Sequence, residues 1–417
     1  MAVIKPFRAV RYNPEFIVDY RGVVTPPYDL IDPCHRQKYH EASPYNSIRL
    51  ILGLDRNGDH HGENRFIRAA RCWRRWRAEE ILIQDEQPGF YVYEQQFTSP
   101  PGRIRRRLGL ICLLRLEEYE NQVVLPHERT FPGPKADLLR LLEETQANFS
   151  QIFCFYEDGS GSVDDLLRAQ IQMEPTIEVT DEEEVTHRLW PIYNPAIISY
   201  LQSYFAHKQV FIADGHHRYE SALEYSRRRA GGSDQPYDYI LAALFSANED
   251  LTILPTHRLV GEMLATETKL NRASRTFNIE RLPADDPPGK YPAILAQRPG
   301  SFICYGGRDR SYLLSLRSPA ALKELESYAP ACRRLDVSIL HAGLLDGLSQ
   351  PSRLGFTQDV HTAVKLVDKG SYLTAFLLNP TPVESIMTVA RSGSIMPPKS
   401  TYFFPKLLSG LVMYTWA

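Results

Sequence analysis

The sequence predicts an α+β fold in which short buried strands alternate with amphipathic helices. Three observations carry that expectation. Short apolar runs, such as Val210-Phe211-Ile212-Ala213 and Tyr239 to Ser246, are bounded by turn residues and read as buried strands. Helical spacing follows directly on one of them, with Tyr219, Ala222, Leu223 and Ser226 at i, i+3, i+4 and i+7. The chain has 417 residues, 43% hydrophobic and 24% charged, which suits two or three packed domains and not a disordered chain.

Taken in order, residues 1 to 120 read as a first mixed region. Val3-Ile4 and Ile48 to Leu52 are strand-like, and Val24-Thr25-Pro26-Pro27-Tyr28-Asp29 is a turn that its two prolines stiffen. Asn64 to Glu80 reads as a helix carrying Trp73 and Trp76, its arginines a solvated face. Gly89 to Phe97 and Ile104 to Leu116 read as paired strands around Ser99-Pro100-Pro101-Gly102. In a second region, 121 to 230, a Pro-rich turn precedes a helix from Lys135 to Gln146, then a strand from Ile152 to Tyr156. Val163 to Gln172 reads as a short helix, Asp181 to Glu184 as a hairpin turn, and Pro195 to His207 as a helix before Val210. Gly231-Gly232-Ser233 marks the break to a third region, 231 to 417. There Phe302 to Tyr305 and Tyr312 to Leu316 suggest a hairpin. Asp336 to Leu345 reads as a helix capped by its Asp, Tyr372 to Leu378 as a strand, and Pro382 to Gly393 as a helix closed by Gly393.

The net charge of -2 gives no support to a nucleic-acid partner, which would call for a basic excess. Six scattered cysteines, none in a C-x-x-C pair, fit reduced thiols in a cytoplasmic setting and exclude a zinc knuckle of that spacing. The start lacks the apolar segment of a secretion signal, and no run approaches 18 apolar residues, so no membrane span is expected.

The most chemical stretch is Asp214-Gly215-His216-His217-Arg218, lying between a strand and a helix. Gly215 permits a tight turn and close backbone approach. Amides at the start of a helix, together with its dipole, favour an anion. Arg218 adds a fork suited to phosphate, and His216 and His217 add donors able to shuttle protons. Asp214 is a carboxylate that could accept a proton or meet a metal. A second polar cluster, Thr256-His257-Arg258, follows an apolar strand. Arg258 there suits a carboxylate or phosphate.

Asp-Gly-His-His-Arg after a strand resembles the phosphate loop of the ParB/sulfiredoxin superfamily, and within it the free-serine kinases. The whole chain resembles domain-of-unknown-function family 1015, through PFRAVRYNP, VVTPPYDLI, PYNSIRLILG, LPHERTFPGPKADLLRLLEETQANFSQIF, IADGHHRYESALEY, ILPTHRLV, LDVSILH, FLLNPTPVE and MPPKSTYFFPKLLSGLV. The resemblance implies a ParB/sulfiredoxin-like nucleotide-binding core, within residues 121 to 230, embedded in a larger mixed α/β chain of several regions. It implies that Gly215, His216, His217 and Arg218 bind phosphate, and that Glu128, in Leu125-Pro126-His127-Glu128, activates a substrate hydroxyl. It also points to His127, Lys399, Ser400, Thr401 and Lys406 as substrate-binding, and to Pro26-Pro27-Tyr28-Asp29 and Tyr45-Asn46 as material of the site. One departure from the compact kinases is the long insertion between Ile152-Tyr156 and Val210.

The expected activity is phosphoryl transfer from ATP or ADP, with Mg²⁺, to free serine or a similar small hydroxy compound. The same parts run on phosphoserine would make a phosphatase, and without turnover they would make a ParB-like nucleotide switch. A sulfiredoxin-like reductase is disfavoured, because the thiol nearest the loop in sequence, Cys154, falls in a predicted buried strand.

Overall fold

Every residue of Tyr239–Ser246 is buried, so this strand needs partners along both edges and cover on both faces. It finds them in Arg103–Arg115, antiparallel, and Ile152–Tyr156, parallel. The computed structural model describes residues 1–99, 102–229, 231–232, 234–346 and 354–417. They form two units. The first comprises Met1–Pro126, Thr130–Thr252 and Pro405–Ala417, and the second His127–Arg129 with Ile253–Phe404.

The first unit is built on a mixed sheet. Its strands run in the order Val124–Leu125, Val210–Asp214, Ile152–Tyr156, Tyr239–Ser246, Arg103–Arg115, Phe90–Ser99, Thr186–Ile192, Ile177–Thr180, and Ile4–Lys5 pairs with Arg103–Arg115. One face carries a continuous apolar core. Leu201 and Phe205 of the helix Pro195–Phe205, Tyr219 and Leu223 of His216–Arg228, and Val163 and Leu167 of Ser162–Gln170 pack there against Cys112, Cys154, Ile212 and Leu244. The expected helix near 64 to 80 is Arg65–Ala78, with Asn64 capping the amides of Phe66 and Ile67. Trp73 and Trp76 are buried. The last residues return to this unit, where Tyr414–Thr415 pairs with Ala147–Asn148.

The second unit holds an antiparallel sheet in the order Phe277–Arg281, Ser311–Leu316, Ser301–Tyr305, Thr374–Leu377, His257–Val260, Leu354–Thr357. Val360, Ala363, Val364 and Val367 of the helix Val360–Asp368 cover one face, against Leu259, Ile303 and Leu377. No helix among the described residues is long and apolar enough to cross a membrane.

Three expectations need correction. Ile48–Ile51 is a helix, not a strand, because Asn46 Oδ1 accepts the Ile48 amide and turns the chain there. Asp336 does not cap its helix. It is the first helical residue, and its carboxylate accepts from the Gly300 amide and Asn379. The breaks expected near 120 and 230 are not unit boundaries, since strands from both sides of each pair within one sheet. Pro100 and Pro101 of the expected hairpin turn, and Ser233 of the expected break, lie outside the described residues.

Gly109 lies in register between Tyr93 and Phe245, and a Cβ there would meet the Phe245 ring at 2.6 Å. Gly109→Ala is therefore expected to destabilise the fold by about 1–3 kcal/mol, the usual range for overpacking. Urea unfolding measures it, and an unchanged midpoint would show that the ring yields freely.

Candidate phosphate-binding site

The strand Val210–Asp214 pairs with Ile152–Tyr156 through a bulge between Ile212 and Asp214. The irregularity falls at the last turn of the strand, where bulges re-aim side chains. Gly215 follows with φ 98°, in the left-handed region. A Cβ there would stand 2.9 Å from Ile152 and 2.9 Å from the Arg218 guanidinium, so the position takes glycine on two grounds. The helix His216–Arg228 begins at once, and no side chain caps it. First-turn amides of a helix have no partner within it, and the dipole adds partial positive charge.

The charges around this turn are shared and not free. Arg218 Nη2 donates to Asp214 Oδ2 at 2.8 Å, and Nη1 donates to the Gln151 carbonyl at 2.6 Å and Ser150 Oγ at 3.3 Å. Its Nε is buried without a hydrogen-bond partner among the described residues. Lys406 Nζ pairs with the other Asp214 oxygen. Burial pushes the Asp214 carboxyl up, but Lys406, Arg218 and His216 outweigh it and hold the group at about 2. Asp214 is thus an ion-pair partner and a weak proton acceptor. Two cations share one carboxylate. The open guanidinium fork expected at Arg218 is not what the structure has, because one arm is committed to Asp214 and the other to backbone.

The two histidines also differ from expectation. His216 is buried beside Asp214. His217 stacks on Phe131, and its Nε2 accepts the Phe131 amide at 2.9 Å. That ring nitrogen therefore carries no proton and donates nothing to a ligand.

Lys406 is held from behind by residues that sequence reading passed over. Gln95 Nε2 donates to the Lys406 carbonyl at 2.9 Å, Arg107 to the Pro405 carbonyl, and Gln151 Nε2 to the Leu408 carbonyl at 3.0 Å. Arg107 is wholly buried, its guanidinium over the rings of Phe153 and Phe245 at 4.7 and 5.1 Å. Burial lowers it to about 9. The run Arg103 to Arg107 looks like solvated strand. Only the two-residue period, which sets Arg107 on the face of Gly109 and Ile111, marks it as an inward residue.

Of the remaining predicted residues, His127, Glu128, His257, Arg258, Lys399, Ser400 and Thr401 belong to the second unit. There His127 Nε2 lies 2.9 Å from Thr401 Oγ1, and Thr401 Oγ1 donates to Glu128 Oε1 at 3.4 Å. His127 and Glu128 are therefore parted from the 121 to 230 region to which they were first assigned. Arg258 is 1% exposed. It donates to the carbonyls of Thr256 and Pro398, and burial lowers it to about 10 despite the Glu128 charge. His257 accepts the Leu378 amide on Nδ1 and is lowered to about 4, first by burial and then by Arg258. Ser400 Oγ donates to Pro397, and Lys399 is exposed at φ 56°. Lys399 and Lys406, read as one cluster, fall in different units. Asn46 is fully buried, its amide donating to Gly22, while Asp29 is exposed. Cys154 is buried and its thiol is pushed up by that burial, which is the state expected of an inert thiol. Among the described residues no group of three His, Cys, Asp or Glu side chains is placed to hold a metal ion.

A family model described as protein of unknown function (DUF1015) matches residues 4–338. No curated protein matches the chain. Among solved structures, a free serine kinase in complex with AMP is similar at 10% identity and TM-score 0.37, over 70% of this chain and 86% of that one. A mutant free serine kinase in complex with ADP gives 10% identity and TM-score 0.38 over 74% and 89%. SbnI with a C-terminal truncation, from Staphylococcus aureus, gives 11% and 0.37 over 72% and 85%.

The lowered Asp214 sets an acid limit. Its folded value, about 2, lies below the ordinary 3.8, so its contribution is whole above 3.8 and is lost as pH falls through about 2. The stability gap between wild type and Asp214→Asn should narrow by roughly 2 kcal/mol as pH falls from about 4 to about 2. Urea unfolding across that range tests it; a gap independent of pH would mean the carboxyl is not held down.

Proposed function

We propose that this chain, which belongs to the DUF1015 family, binds the phosphates of a nucleotide at the turn from Asp214 to Arg218. We further propose that it transfers a phosphoryl group to a small hydroxylated metabolite, with free serine as the acceptor. The observation that carries this reading is the charge pattern at an uncapped helix start. Arg218 and Lys406 share the one carboxylate of Asp214, and the Arg218 Nε–H is buried without a partner. A phosphate fits that donor set, because it brings anionic oxygens to two cationic side chains, an unpartnered N–H and a helix start.

In the reaction, the acceptor oxygen forms a bond to the γ-phosphorus of ATP, the bond from that phosphorus to the β-phosphate oxygen breaks, and ADP leaves. The acceptor's hydroxyl proton passes to a carboxylate. Asp214 is held too acidic for this and serves to orient Lys406 and Arg218. Glu128 is the carboxylate assigned to the proton, on the resemblance of Pro126-His127-Glu128 to the serine-kinase motif. Positioning and charge supply most of the rate in such transfers. Magnesium would neutralise phosphate charge, and it binds through nucleotide oxygens with few protein ligands.

A non-catalytic nucleotide switch is the second reading, favoured by one observation: Arg218 already has a carboxylate partner. An anion that drew Arg218 off Asp214 would change the pairing that ties the helix to Lys406.

Incubated with Mg²⁺, ATP and free serine, the protein is expected to form phosphoserine. Lys406→Met should weaken ADP binding at least tenfold by titration calorimetry. Glu128→Gln should leave ADP affinity intact and slow phosphoserine formation by about 10²- to 10⁴-fold. Unchanged turnover in Glu128→Gln removes Glu128 as the base. Nucleotide binding with neither phosphoserine formed nor phosphate released from phosphoserine selects the switch.

A further inference from the structure

Two cavities of the first unit lie side by side, and Arg218 of the turn lines one of them. The smaller, about 50 Å³, ends at Ser150 and Arg218. The larger, about 300 Å³, is walled by Leu50, Ile51, Phe66, Leu138 and Leu141, with Tyr28 closing one side. The two share Tyr28, Ile51, Leu138 and Leu141, so they are chambers of one slot. Its interior is apolar and its two ends are polar. Arg218 lines the smaller chamber, and the ion pair of Arg65 with Asp137 lines the larger. Tyr28 lines both chambers, and burial raises its hydroxyl well above the usual tyrosine range.

The local sequence explains why the slot stays open. One wall is the helix Pro132–Thr145, which turns Leu139 and Leu142 into the core and leaves Leu138 and Leu141 half-buried along its flank. The opposite wall is Leu50 and Ile51, on the short helix that Asn46 starts. Pro27 sets the chain extended just before Tyr28. A slot of this volume with apolar walls and a few placed polar groups has the form of a small-molecule site. A wider surface cavity of about 650 Å³ lacks that form. Its Arg106 and Arg168 are already paired with its own Glu94 and Glu249.

We infer that this slot takes the heterocyclic base of the nucleotide whose phosphates lie at the Gly215 turn. The base lies between the leucine flank and Tyr28, with its polar edge toward Arg65 and Asp137. This rests on the phosphate reading above and deepens it. An inorganic polyphosphate has nothing to put in an apolar slot, and a nucleotide does. The slot thus separates a nucleotide-dependent protein from one that takes any polyphosphate.

Titration calorimetry on the full chain tests this with ATP, ADP and inorganic tripolyphosphate as probes. Wild type is expected to bind ATP and ADP at least tenfold more tightly than tripolyphosphate. Leu138→Trp, which fills the slot from a half-buried position, should weaken ATP and ADP at least tenfold and leave tripolyphosphate unchanged. Leu138→Ala, which keeps the slot open, should retain most of the ATP affinity. Should Leu138→Trp melt below wild type, Phe66→Leu replaces it, with a smaller loss for ATP and none for tripolyphosphate. Equal binding of ATP and tripolyphosphate by wild type, with both weakened by Lys406→Met, overturns the base slot and leaves the phosphate reading standing. Failure of all three probes to bind, or indifference of each to Lys406→Met, overturns the phosphate reading itself.

Discussion

Asp214 is the constraint on which the site depends. Its two oxygens are divided between Arg218, four residues on, and Lys406, 192 residues on. Taking such charges out of water costs several kcal/mol per ion, and only close pairing offsets it. Here the pairing is supplied by a strand end, a helix start and the returning C-terminal segment, and each is fixed by the other two. Two cations thus meet on the one carboxylate.

The support behind Lys406 follows the same logic. A lysine has four rotatable bonds and holds a position only if its backbone is held. Arg107, Gln95 and Gln151 hold the carbonyls of Pro405, Lys406 and Leu408. Gln151 also offers its own carbonyl to Arg218, so a single residue touches both Arg218 and the segment that carries Lys406. A buried arginine among phenylalanine rings is an expensive way to grip one carbonyl. With Gln95 it fixes the backbone that carries Lys406.

Periodicity revealed most of the elements. The helices at Arg65–Ala78, Pro132–Thr145 and His216–Arg228, and the strands Ile152–Tyr156, Val210–Asp214 and Tyr239–Ser246, stand where apolar spacing and turn residues put them. It failed at Ile48–Ile51, because four apolar-rich residues carry too little pattern to tell helix from strand and the deciding group was the Asn46 side chain. It failed again for Asp336, whose partners come from Gly300 and Asn379. Of the site, the turn itself was legible, since a strand, Asp-Gly and a helical period are all local. The pairing of Lys406 with Asp214 was not, and neither was the burial of Arg107, His257 and Arg258.

By itself, then, the amino-acid order determined most of the strands and helices and where the chain reverses at Gly215. These follow from φ preferences and from apolar period, both properties of near neighbours. Tertiary structure alone decided that Lys406 joins that turn, that His127 and Glu128 are grouped with Thr401, and that Tyr28 borders a slot leading to Arg218. Such associations depend on strand order and on packing between residues far apart in the chain, and no local preference encodes either.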